Sequence, residues 1–188
     1  MDHEKPDILT IEAILKGDKN AFKFLYEKYR RRYMLTCLRY IKSRANAEDV
    51  LQDGFIAIFK NLSQFDSTKG EFYTWSNRIM INTCLQKLRK KSFSNVFEDI
   101  MEFSQKISIA ENAIANLSLQ EVTAVIQRLP KGYRTVFNMY MIDGYSHKDI
   151  SKSLNISEST SKSQLLRAKK LLRTKLDTLS FSYLESYA

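Results

Sequence analysis

Apolar side chains recur at three- and four-residue steps along most of this chain, and no run of useful length alternates at every second position. That spacing predicts helices rather than strands, and the fold class it predicts is all-α. Asp7 to about Leu15 reads as a short first helix. "KGDKN" breaks it, and Asp18 or Asn20 caps the next. From Ala21 to Lys42 runs a long helix in which Phe22, Leu25, Tyr29 and Tyr33 share one face. "SRANAEDV" supplies a turn and a new start, with acids in the first turn where the helix dipole favours them. The helix "ANAEDVLQDGFIAIFKNL" buries Val50, Leu51, Phe55, Ile58, Phe59 and Leu62. Its other side presents Glu48, Asp49, Gln52 and Asp53. "SQFDSTKG" is a polar loop, and "EFYTWSNRIMINTCLQKLRKKS" is a fourth helix ending in a basic cluster.

The pattern weakens from Phe93 to about Leu117, where Glu98, Asp99, Glu102 and Glu111 stand against Lys106 alone. This acidic stretch reads as a linker. The expected organisation is two small helical domains, residues 1–95 and 118–180, joined by a linker over 96–117 and followed by a tail over 181–188. In the second domain, Pro130 and Gly132 punctuate two helices that end near Gly144. Ser146 and Asp149 then form an S-x-x-D capping box. A short helix follows from His147 to about Leu154, then the turn "LNIS" with Ile156 inward. A helix capped by Ser157 continues to about Leu176. Short helix, tight turn and long helix make a helix-turn-helix, whose second helix enters the major groove N-terminal residues first. Leu165, Ala168, Leu172 and Leu176 form its inward stripe, while Lys169, Lys170, Arg173 and Lys175 stay on the surface.

Composition sharpens this picture. Lys and Arg number 30 against 21 Asp and Glu, a formal charge of +9 over 188 residues. A surplus of that size favours a polyanionic partner, with nucleic acid the usual one. Cys37 and Cys84 stand in unrelated contexts, and His3 and His147 are far apart. No metal, cofactor or catalytic constellation is expected, and the chain does not read as an enzyme. No apolar run approaches the roughly 20 residues that span a bilayer. The opening "MDHEKPDILT" is too acidic and polar for a signal peptide, so a cytoplasmic setting is expected. Trp75, Arg78, Asn82, Gln86 and Arg89 fall on one stripe of the fourth helix. An aromatic platform beside cationic and amide groups suits single-stranded DNA, because bases stack on rings while the backbone meets charge. At the start of the last helix, Ser157, Ser159, Thr160 and Ser163 offer hydroxyls. Lys162 and Arg167 offer charge, and Arg grips guanine with two parallel hydrogen bonds. Blander readings stand beside these: Trp75 in a core, solvated helix-start acids, a solvated basic face, and His147 as a surface residue.

The stretch "SHKDISKSLNISESTSKSQLLRA" resembles region 4 of sigma-70 family RNA polymerase sigma factors of the extracytoplasmic-function (ECF) group. "KGDKNAFKFLYEKY", "NAEDVLQDGFIAIFKNL" and "FYTWSNRIMINTCLQKLRKK" are similar to regions 2.1, 2.2, and 2.3 with 2.4, in the family's order. The resemblance implies a protein that binds core RNA polymerase through the largest-subunit clamp and the flap. It implies direction of that enzyme to −10 and −35 promoter elements and help in opening the DNA. Carried over residue by residue, Glu48, Asp49, Gln52 and Asp53 become the polymerase-docking face. Trp75, Arg78, Asn82, Gln86 and Arg89 become the −10 set, and loop 63–70 becomes a pocket for an extruded base. Ser159, Thr160, Lys162, Ser163, Leu166 and Arg167 become the −35 set. The acidic linker matches a segment that threads toward the polymerase active centre. The group implies an anti-sigma factor as a further partner.

Two departures stand out. Ser159-Thr160-Ser161 replaces the usual Gly-Thr-Val, and Ser151 replaces an alanine. A valine at 161 would bury apolar area worth roughly 1–2 kcal/mol. The second domain is therefore expected to be less stable or to dock differently, and a recruiting partner protein is a hypothesis that follows. Two other functions stay open on the residues alone: an autonomous helix-turn-helix regulator, and an interaction protein whose basic helices bind an acidic partner.

Overall fold

In a computed structural model, which describes residues 5–92 and 119–185, the periodic stretches are helices throughout. The chain divides into two units, residues 1–90 and 91–188, and each is described by itself. The acidic stretch with Glu98, Asp99 and Glu102 lies outside the described residues. So do the side chains of Lys90, Lys91, Lys175 and Leu176.

The first unit comprises α1 (Lys5–Leu15), α2 (Lys19–Tyr40), α3 (Arg44–Lys60), a single 3₁₀ turn (Leu62–Gln64) and α4 (Phe72–Ser92). Asp18, rather than Asn20, caps α2, its carboxylate accepting from the Asn20 and Ala21 amides at 2.8 and 3.2 Å. Ser43 caps α3 by accepting from the Asn46 amide. Each cap satisfies donors that a helix start leaves orphaned.

The core is built around α2, where Leu25, Tyr29, Tyr33, Cys37 and Tyr40 are buried at three- and four-residue steps. Phe22, expected on that face, is 43% exposed; its ring stacks on Phe59, itself only half-buried, at the edge of the α2–α3 contact. Val50, Leu51, Phe55, Ile58 and Leu62 are buried as expected. Tyr33 is fully buried, and its hydroxyl pairs with that of Ser76, which also bonds the Phe72 carbonyl at 2.6 Å. Burial holds the Tyr33 phenol well above its ordinary pKa. This bond and that of Thr36 to Asn77, at 3.1 Å, tie α2 to α4.

Gly54 of α3 lies against Met80 of α4. A Cβ there would lie 2.3 Å from the Met80 Sδ, and Met80 is fully buried with its sulfur 3.5 Å from the Cys37 Sγ. Gly54→Val is therefore expected to overpack the unit and cost about 2 kcal/mol. A lowered urea midpoint reads this out, and an unchanged midpoint would contradict the packing described.

The second unit comprises α5 (Leu119–Gln127), α6 (Lys131–Phe137), a π turn (Asn138–Ile142), α7 (His147–Leu154) and α8 (Glu158–Glu185). Pro130 precedes α6, where its missing N–H costs nothing. Arg134 is buried, and its Nη1 donates to the Gln127 and Leu129 carbonyls at 3.0 and 3.1 Å. A cation thus closes the carbonyl end of α5, which the helix dipole favours. Val125, Leu129, Ala168 and Leu172 form the core, with Tyr133, Phe137 and Leu171 packed against it. The inward stripe of α8 behaves as expected at Leu165, Ala168 and Leu172. The helix runs on to Glu185, past the end expected near Leu176, because no Gly or Pro interrupts 158–185. Among the described residues no helix is long and apolar enough to cross a membrane.

Candidate nucleic-acid interface

In the first unit, the site begins with the loop between α3 and α4. Asp66 organises it: the carboxylate accepts from the Thr68 amide at 3.0 Å and the Thr68 hydroxyl at 2.6 Å, and pairs with Lys69 at 3.0 Å. The Thr68 hydroxyl first, and Lys69 next, hold this carboxyl down at about 2. Phe65, the one aromatic residue in the loop, turns back onto Phe72 and Trp75, with ring centroids 5.4 and 5.5 Å away. Trp75 lies 5.8 Å from Phe72 and remains half-buried, so one part of the indole packs while another faces a cleft. That cleft has a volume of about 280 Å³; Gln64, Phe65, Lys69, Thr74, Trp75 and Arg78 are among its walls. Core packing and ring presentation are combined in one residue.

From the cleft, a stripe continues along α4 through Arg78, Asn82, Gln86 and Arg89, all exposed. The five residues expected to share a face do share it. Loop 63–70, expected to form a pocket, supplies Gln64, Phe65 and Lys69 to the cleft, whereas Thr74 was not singled out in the sequence. On α3, Glu48, Asp49, Gln52 and Asp53 are likewise exposed on one face. Arg44 bonds Glu48 at 3.1 Å, and Lys87 lies 3.5 Å from Asp49. Among the described residues no cation pairs with Asp53.

In the second unit, α7 and α8 form the helix-turn-helix. Ser146 caps α7, its hydroxyl accepting from the Asp149 amide at 3.1 Å and meeting the Asp149 carboxylate at 2.5 Å. That hydroxyl depresses the Asp149 pKa. The turn is made by Asn155 in the left-handed region at φ 53°, where Asn is among the few non-glycine residues tolerated. Ser157 caps α8 by accepting from the Thr160 amide at 3.0 Å. Its hydroxyl also bonds those of Ser159 and Thr160, each at 2.8 Å. Lys162, Ser163, Leu166 and Arg167 line one exposed face, with Leu166 71% exposed. Arg167 is steadied by donating to the Tyr133 hydroxyl at 3.3 Å, a support from α6 that spacing along α8 does not reveal.

Ser161 is fully buried, yet its hydroxyl is not orphaned. It bonds His147 Nδ1 at 2.8 Å, and that imidazole stacks on Tyr140 at 4.4 Å. His147 thus bridges the two helices instead of standing free at a helix start. The bond offsets the apolar burial missing at 161, since a hydrogen bond contributes roughly 0.5–1.5 kcal/mol.

A groove-sized basic helix in one unit, and an aromatic-cationic stripe beside a small cleft in the other, define a DNA-binding protein with two separate contact modules. Comparison with known proteins gives the family. Residues 25–93 match Sigma-70 region 2, and residues 119–172 match Sigma-70, region 4. The chain is 31% identical over 180 residues to the ECF RNA polymerase sigma factor SigW of Bacillus subtilis, covering 90% of this chain and 96% of that protein. It is 27% identical over 192 residues to the ECF RNA polymerase sigma-E factor of Haemophilus influenzae, covering 95% and 100%. Among solved structures, the sigma factor RpoE of Bartonella quintana, determined in complex with the anti-sigma factor NepR, shares the fold. Its TM-score is 0.54 at 20% identity, over 83% of this chain and 96% of that one. The protein belongs to the ECF group of sigma-70 family RNA polymerase sigma factors.

Proposed function

We propose that this sigma factor docks on the largest-subunit clamp of core RNA polymerase with Glu48, Asp49, Gln52 and Asp53, and on the flap with its second unit. It holds the −10 element with Trp75, Arg78, Asn82, Gln86 and Arg89, and the −35 element with Ser159, Thr160, Lys162, Ser163, Leu166 and Arg167. The observation that carries this reading is the half-buried Trp75, braced by Phe65 and Phe72 at the rim of a cleft. A base extruded from the melting duplex stacks there, and a prepared pocket offsets the few kcal/mol of unstacking. Arg78 and Arg89 meet the backbone, while Asn82 and Gln86 offer the amide geometry that pairs with adenine.

In the second unit, Arg167 reads a base edge, Lys162 meets phosphate, and the exposed Leu166 offers apolar contact to a thymine methyl. Ser159 and Thr160 exchange their bonds with Ser157 for bonds to DNA. Arg167→Ala is expected to weaken −35 duplex binding by holoenzyme by about 1–3 kcal/mol and to relax the preference at one base position. A uniform loss across all sequences in a mobility-shift series would show that Arg167 meets phosphate only.

The protein works in the cytoplasm, with the polymerase, and supplies recognition while RNA chemistry stays with that enzyme. An anti-sigma factor is an expected partner, as in the RpoE–NepR complex. A recruiting partner is a further hypothesis, motivated by Ser159-Thr160-Ser161. The experiment for the whole reading is run-off transcription by purified core polymerase with and without this protein, beside duplex binding by the protein alone. An autonomous regulator would bind the duplex tightly without polymerase and leave start sites unchanged.

A further inference from the structure

Arg167, read above as contacting a base edge, is exposed on α8 and is held from another helix. Its Nη1 donates to the Tyr133 hydroxyl of α6 at 3.3 Å. No acid occurs between Ser159 and Leu176, and among the described residues no carboxylate pairs with Arg167. The hydroxyl is itself well fixed. Its ring is half-buried and packs against the core formed by Val125, Leu129, Ala168 and Leu172. One turn back along α8, Gln164 lies against Gly132, where a Cβ would come within 3.3 Å of the Gln164 Oε1. The first turn of α6 therefore touches two consecutive turns of the helix read as entering the groove.

A neutral acceptor at this place has a chemical consequence. Arginine has a long, flexible stem, and on a basic helix beside DNA the nearest phosphate draws it. Such a contact positions the protein but carries no sequence information. The Tyr133 hydroxyl uses one of the five guanidinium N–H donors and leaves the others for guanine O6 and N7. A carboxylate in its place would also orient the side chain, but would cancel charge that attracts the polyanion. Orientation without neutralisation suits a base-reading arginine, because its rotamer is set before the duplex arrives and less freedom is lost on binding.

We propose that Tyr133 is a specificity-determining positioning residue. Its hydroxyl holds the Arg167 guanidinium toward one base pair of the −35 element and away from the flanking phosphates. The inference rests on reading Arg167 as a base contact, and Tyr133 acts through that residue without touching DNA.

The test uses holoenzyme and a panel of duplexes carrying every single base-pair change through the −35 element of a promoter that the holoenzyme uses. The ratio of each Kd to that of the unchanged duplex gives the discrimination at each position. Arg167→Ala identifies the position that Arg167 reads. Tyr133→Phe keeps the ring and its packing, and is expected to reduce discrimination at that same position by about three- to tenfold, the contribution of one hydrogen bond. Discrimination elsewhere and the thermal midpoint of the protein should not move. Adding Tyr133→Phe to Arg167→Ala should cause no further loss. If Arg167→Ala flattens one position and Tyr133→Phe leaves it unchanged, or weakens all duplexes equally, the positioning role is overturned while the base contact stands. A loss at a different position, or a further loss in the double variant, overturns it as well, since the hydroxyl then acts independently of Arg167. If Arg167→Ala flattens no position, the base contact and this inference fall together.

Discussion

Replacing Trp75 with alanine is expected to lower the rate of promoter opening by holoenzyme by about 10- to 100-fold, the range that losing a base–aromatic stack gives. The indole is braced by Phe65 and Phe72 and, among the described residues of α4, is the one ring that lines the cleft. Truncation also removes contacts to Phe65 and Phe72, so a loss of opening alone would not separate stacking from loop collapse. Trp75→Phe makes the separation, since it keeps a ring and most of the packing and is expected to recover much of the rate. Binding to an isolated −35 duplex should not move in either variant. Fluorescence of an opened-strand probe, measured as a single-turnover rate, checks the prediction. Normal opening by Trp75→Ala, with its fold intact, would return this residue to a purely structural role.

Reversing Asp49 and Asp53 together to lysine is expected to weaken assembly with core polymerase at least ~100-fold, on the order of 3 kcal/mol. Both carboxylates are exposed on one face of α3, and neither supports the core. The sole described ion pair lost is Asp49 with Lys87, at 3.5 Å in an exposed setting where such pairs contribute ~1 kcal/mol or less. Thermal stability should therefore change little while assembly fails. Anisotropy of the labelled protein titrated with core enzyme reads the affinity directly. Equal affinity for the reversed variant and the parent would remove α3 from the docking surface.

Much of this was legible in the periodicity. The capped start of α7 at Ser146, the turn after Leu154, the cap at Ser157 and the stripe through Leu165, Ala168 and Leu172 follow from local rules that tertiary packing does not override. The exposed stripe from Arg78 to Arg89 follows from the 3.6-residue repeat in the same way. The missed features all depend on contacts distant in sequence. A pocket at loop 63–70 is expected from the resemblance, but not that Phe65 closes onto Phe72 and Trp75 as one of its walls. Ser161 looked like a lost valine, because its partner His147 lies 14 residues away across the turn. The π turn at Asn138–Ile142 shifts the register of α6 by one residue without a Gly or Pro to announce it. Gly54 carries no local signal, because Met80 of α4, which lies against it, is distant in sequence. Arg32 reads as one of several surface cations on α2, and only the fold brings the Tyr73 ring beneath it.

The most direct test of the central claim is to map the 5′ ends of transcripts made by purified core polymerase on genomic DNA, with and without this chain. RNA is expected to begin at a discrete set of new sites that share −10 and −35 sequences, and those starts should disappear with the Asp49/Asp53 reversal. Transcripts whose start positions are unchanged by the added protein, although it co-purifies with polymerase, would contradict the account.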